Sequence, residues 1–120
     1  MTSQITRIEL SESTDGRPIE VVRTATAGTL IHTATRDPNV YDQVHIWASN
    51  GNSSTEVVVL EWGGVTNADD RIYSSVLANT TAKITEGWVI RGNDTPLSLK
   101  AYSTTTNKVN IVGYVDRVTQ

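Results

Sequence analysis

Cysteine and phenylalanine are missing from this sequence altogether, and 120 residues hold only one methionine, three prolines and three tryptophans. Without thiols there is no thiolate nucleophile, no disulfide and no cysteine-ligated metal. No stretch approaches the ~20 apolar residues that a membrane helix requires, and residues 1–7 lack the apolar core of a secretory signal. The chain is therefore expected to be made and kept in soluble form inside a cell, with no membrane partner. Neither sign of charge dominates. Ten basic and 13 acidic residues are spread along the chain for a net charge of −3, so the electrostatic footprint of a nucleic-acid binder is absent.

Helical periodicity is missing as well. Leu and Ala never recur at the three-to-four spacing that gives a helix an apolar stripe, whereas Thr, Val and Ile, which favour strands, are abundant. Residues 43–49 and 55–62 are two runs at strand period joined by the polar turn 50–54, a hairpin signal. In the second run Val58, Leu60 and Trp62 share one face, and Val57 and Val59 share the other. Both faces are apolar, which calls for a second cover, either another piece of this chain or another copy of it.

Further short runs follow at 8–12-residue spacing, separated by turn clusters. Asp15-Gly16 supplies the positive φ of a tight turn, Gly63-Gly64 marks a reversal, and Glu86-Gly87 marks a bulge. Residues 97–102 place Leu97, Leu99 and Ala101 inward, and residues 109–116 do the same with Val109, Ile111, Gly113 and Val115. This pattern predicts an all-β fold, an antiparallel β-sandwich of the jelly-roll kind. It predicts an extended N-terminal arm over residues 1–22, bearing Ile5, Ile8 and Leu10, and a β-sandwich domain over residues 23–120.

Candidate chemistry is sparse. His32 and His45 are the only histidines, each inside a strand pattern with no ligand set at metal spacing, and a strand-face or interface role is the plainer reading of both. No Gly-x-Ser-x-Gly elbow carries a nucleophilic serine. Asp69 and Asp70 do not match the calcium-loop template and read as turn residues that bond their own backbone. Three Asn-x-Ser/Thr tripeptides, starting at Asn52, Asn79 and Asn93, read as turn chemistry too. No catalytic residue, metal ligand or cofactor is expected. Trp62 reads as core, Trp88 is open to either reading, and Trp47 shares its face with Gln43, His45 and Ser49, as at a subunit interface.

Four stretches taken together resemble small virion structural proteins of tailed bacteriophages. They are Asp-Gly-Arg-Pro-Ile-Glu-Val-Val at 15–22, Thr-Ala-Thr-Ala-Gly-Thr-Leu-Ile-His-Thr-Ala at 24–34, Glu-Trp-Gly-Gly-Val-Thr at 61–66 with Asp69-Asp70, and Val-Gly-Tyr-Val-Asp-Arg-Val at 112–118. The resemblance implies a non-enzymatic β-domain on the virion surface, nearest in role to a capsid decoration (cement) protein, commonly trimeric and seated on the major capsid protein. Subunits would then meet through Val57, Val59 and Trp47, and the arm would dock on the capsid. Two other classes stay open at this point: a carbohydrate-binding module using Trp47 or Trp88, and a small hydrolase using His32 or His45 beside a carboxylate.

Overall fold

The computed structural model describes residues 3–120, and among them there is no helix. Nine strands follow in chain order: β1 (Gln4–Glu9), β2 (Ile19–Val21), β3 (Thr29–Thr33), β4 (Val40–Asn50), β5 (Glu56–Trp62), β6 (Arg71–Val76), β7 (Thr81–Arg91), β8 (Ser98–Ser103) and β9 (Val109–Thr119). They form two antiparallel sheets packed face to face. One has the order β1-β9-β4-β7 with β2 also paired to β9, and the other has the order β3-β8-β5-β6. The pairings nest: β5 with β6, β4 with β7, β3 with β8 and β2 with β9.

Alternation of side chains sets the layers. Along β4 every second residue from Val40 to Asn50 is buried, so Val44, Ile46 and Ala48 face Val58 and Leu60 of β5 and Leu99 and Ala101 of β8 across the core. Val109, Ile111 and Val115 of β9 fill the same layer. Each such side chain, fully buried, contributes roughly 1.5–3 kcal/mol. The glycine of the predicted bulge has φ +75°, and the β4–β7 register shifts next to it, between Val44 and His45. Asp15 and Gly16 both have positive φ, as the hairpin reading required.

The N-terminal segment, expected as an extended arm, is paired within the chain. β1 and β2 share one edge of β9, and Leu10 and Val21 belong to the common core, so no packing boundary falls after residue 22. β1 itself is thinly held. Of its side chains only Ile8 packs against the core, and Ile5 stands 67% exposed.

Candidate functional site

The three expected interface residues do not meet. Trp47 projects from the outer face of the five-stranded sheet, because the inward positions of β4 are the even-numbered ones. Val57 and Val59 project from the outer face of the other sheet, on the far side of the sandwich. A closed ring of three needs its two contact patches inclined to one another, and patches on opposite faces would instead propagate an open stack.

The second cover predicted for β5 is supplied by the chain itself. Val59 has Tyr73 of β6 and Tyr102 of β8 as its direct cross-strand partners and is 3% exposed. Beside it Glu61 is buried, its carboxylate accepting hydrogen bonds from the Thr26 hydroxyl and, at 2.6 Å, from the Gly28 amide. The segment carrying those donors crosses the sheet so closely that a Cβ on Gly28 would lie 2.6 Å from the Ala101 backbone. Val57 remains 40% exposed. Val57→Glu should therefore alter stability by less than about 0.5 kcal/mol, whereas Val59→Lys, which buries an unpaired charge, should sharply lower the urea midpoint.

Of the arm residues, Ile5 alone is open; Ile8 packs on the core and Leu10 lies within it. The arm strand is tied to β9 by Arg7, whose Nε donates to Asp116 Oδ1 at 2.9 Å. That hydrogen bond, with the guanidinium charge, holds the Asp116 carboxyl below the usual carboxylate range.

Around this ion pair lies the most aromatic surface of the molecule. His45 stacks on Tyr114 with ring centroids 4.6 Å apart, and the Arg7 guanidinium sits 4.3 Å from the Tyr114 centroid. Trp47 tilts against Tyr114 at 6.1 Å, with the Lys83 ammonium 5.4 Å from its ring. Cross-strand register brings these groups together: His45 pairs with Tyr114, and Trp47 pairs with Val112 on one side and Lys83 on the other. Tyr41 and Val89 extend the same face. Trp88 is elsewhere. It pairs with the inward Val44 and meets Trp62 edge-on at 5.9 Å, at the open side of the sandwich between β7 and β5. Trp62 packs on the core, and its indole N–H donates to the Val89 carbonyl.

Each histidine does face a carboxylate. His32 is fully buried between the sheets, with Nε2 2.7 Å from Asp42 Oδ2 and Nδ1 accepting the Ser11 amide hydrogen at 3.0 Å. Both ring nitrogens are thus engaged inside the protein, and the accepting Nδ1 fixes the Nε2–H tautomer. Arg117 closes the far side of Asp42 with two parallel hydrogen bonds of 2.8 and 3.0 Å. Burial pushes the Asp42 carboxyl up, but the hydrogen bonds from Arg117 and His32 outweigh it and the net direction is down. His45 lies 3.5 Å from Asp116, which Arg7 already binds. A shallow cleft of about 230 Å³, lined by residues 63–65, 95–98 and Lys100, contains no histidine and no carboxylate.

Asp70 behaves as a turn residue, accepting the Thr66 amide hydrogen at 3.1 Å. No group of three His, Asp or Glu side chains suited to a metal occurs among the described residues. Sequence reading missed Asp42 and Arg117, although a usable signal was present: Asp42 shares the parity of Val44, Ile46 and Ala48, which marks an inward carboxylate in need of a partner. No protein-family model matches the chain, and no curated protein matches its sequence.

Proposed function

We propose that this chain is a non-enzymatic virion structural protein of a tailed bacteriophage, a decoration protein that sits on the major capsid protein and bridges capsomers as a homotrimer. The observation that carries the reading is the outer face of the five-stranded sheet. Tyr41, Trp47, Tyr114 and Val89 form an aromatic and apolar surface on which Arg7 pairs with Asp116, Lys83 pairs with Glu86 and the Arg91 guanidinium lies 5.7 Å from the Tyr41 ring, with Glu9 and Glu20 at its β1 and β2 margin. Such a surface suits packing against protein, where Trp, Tyr and Arg are enriched and unpaired charge is costly.

The strand order supports a jelly-roll architecture. Nested pairs β2:β9, β3:β8, β4:β7 and β5:β6 are what a long antiparallel ribbon gives when it wraps into two four-stranded sheets. Viral capsid domains use this architecture, as do lectins, so the fold is an analogy and the surface has to decide. β1 lies outside the eight-strand ribbon, and its thin packing suits an arm that pairs with a neighbouring protein.

Carbohydrate binding is the weaker reading because a sugar stacks on an open ring face. Tyr114 is packed by His45 and Arg7, Trp47 by Tyr114 and Lys83, and Trp88 lies away from both. In the decoration reading Trp47 meets a sister subunit and Ile5 on β1 meets the capsid, while bridging adds buried area across joints under internal pressure.

Trp47→Glu, checked for folding by circular dichroism, should convert a trimer to a monomer in light scattering; a wild-type monomer, or an unchanged oligomer in the variant, refutes the interface. Deleting residues 3–9 should leave a cooperative melt and reduce occupancy on capsids, and full occupancy would reject the arm's role.

A further inference from the structure

The turn after β4 opens with Asn50-Gly51, a pair with its own chemistry. We propose that Asn50-Gly51 is a deamidation site gated by folding, closed in the native protein and open, without return, once the chain unfolds. In the reaction the deprotonated Gly51 amide nitrogen attacks Asn50 Cγ, closing a five-membered succinimide and expelling ammonia. Water then opens the ring to aspartate or isoaspartate. Glycine on the C-terminal side hinders the attack least, since it has no Cβ.

The fold holds both reactants away from each other. Asn50 is a buried polar residue whose Nδ2 donates to the carbonyls of Ser54 and Val76, each at 2.9 Å, and whose Oδ1 accepts the Asn52 amide hydrogen at 2.8 Å. The Gly51 amide, which would have to lose its proton, donates to the Lys108 carbonyl at 2.8 Å. Turning the carboxamide toward Gly51 breaks its three anchors. Three hydrogen bonds, each worth a factor of about five, amount to a native rate on the order of 100-fold below that of the open chain.

The product cannot be accommodated. A carboxylate at position 50 has no hydrogen to offer the Ser54 and Val76 carbonyls and sets a buried charge against them. Isoaspartate also lengthens the backbone by one atom at the end of β4, between the sheets. The glycine is not required by the turn. Gly51 lies outside the left-handed region, and a Cβ there would sit 3.6 Å from the Lys108 carbonyl, an ordinary contact. Alanine therefore fits at this position and removes the unhindered approach.

The test incubates the full chain in mildly alkaline buffer, native and in guanidinium, and follows the one-dalton gain at Asn50 by peptide mass spectrometry. Conversion should be on the order of 100-fold faster in denaturant. Gly51→Ala should melt like the wild type yet suppress the denatured-state reaction, and Asn50→Asp should lose the cooperative melt or show a large drop in Tm. Equal rates in the two states, undiminished conversion in the alanine variant, or an aspartate variant as stable as the wild type would each overturn the proposal.

Discussion

Asp42→Ala should cost about 3–5 kcal/mol in a denaturant titration, because it removes the shared partner of two buried or half-buried groups and leaves both uncompensated. Arg117 would keep its charge with nothing to receive its two parallel hydrogen bonds, and His32 Nε2–H would face a void between the sheets. Set against a total of roughly 5–15 kcal/mol for a domain, the loss is large enough to shift the midpoint visibly or to unfold the protein at moderate temperature. The same carboxylate gives stability a pH dependence of known sign. Its folded-state value lies below its unfolded one, so its contribution is complete above the ordinary aspartate value of about 3.9 and is lost as pH falls through the lower, folded value. Melts between pH 7 and pH 2 should show that decline in the wild type. Asp42→Asn, already weakened at neutral pH, should show a shallower one; an equally steep fall in the asparagine variant would assign the acid sensitivity to other groups, Glu56 and Asp116 first among them, whose carboxyls also lie below their usual range.

Gly113→Ala should lower stability by about 3 kcal/mol, far beyond what one methyl group costs at an ordinary strand position. Gly113 sits opposite Ile46 where β9 and β4 pair at the centre of the sheet, and a Cβ there would lie 1.9 Å from the His45 carbonyl oxygen. The Cβ position is fixed by the backbone of β9 and the oxygen it meets belongs to the backbone of β4, so no side-chain rotation relieves the clash. The strands would have to separate, and the His45–Tyr114 stack on the outer face would separate with them. Gly51→Ala is the internal control, since its Cβ meets only an ordinary contact; similar melts for the two variants would show that β9 and β4 can part at little cost.

Residue alternation made much of this fold legible before any coordinates. Val58, Leu60, Leu99, Ala101, Val109, Ile111 and Val115 face inward as their spacing requires, because a strand of period two cannot bury one member of a set without burying the rest. The positive φ at Asp15 and Gly16 was readable for a related reason, since an Asp-Gly pair occurs where other residues are strained, and the reversal at Gly63 and the bulge at Gly87 likewise use glycine at positive φ. What parity cannot disclose is which strands become neighbours. His32 and Asp42 are ten residues apart, but Arg117 reaches Asp42 from 75 residues away, and nothing in the local pattern of either stretch names the other. The cover of Val59 within the chain was hidden on the same ground. Its direct neighbours are Tyr73 and Tyr102, on strands whose proximity is a property of the sheet order. Trp47 was placed on the correct face by its companions Gln43, His45 and Ser49, yet its packing against Tyr114 depended on β9 being the next strand over.

The nesting of the strands governs when, as well as how, the chain acquires its shape. β9 carries the last residues of the sandwich and yet is bordered by β1, β2 and β4, so the earliest and latest parts of the chain must come together before the larger sheet has a middle. A growing polypeptide therefore leaves one edge of β4 unpaired until residue 119 has been made, and pairings this distant in sequence close slowly, on a timescale of about milliseconds to seconds. Any delay in that closing step lengthens the time during which unfinished copies can stick to one another through their unpaired edges.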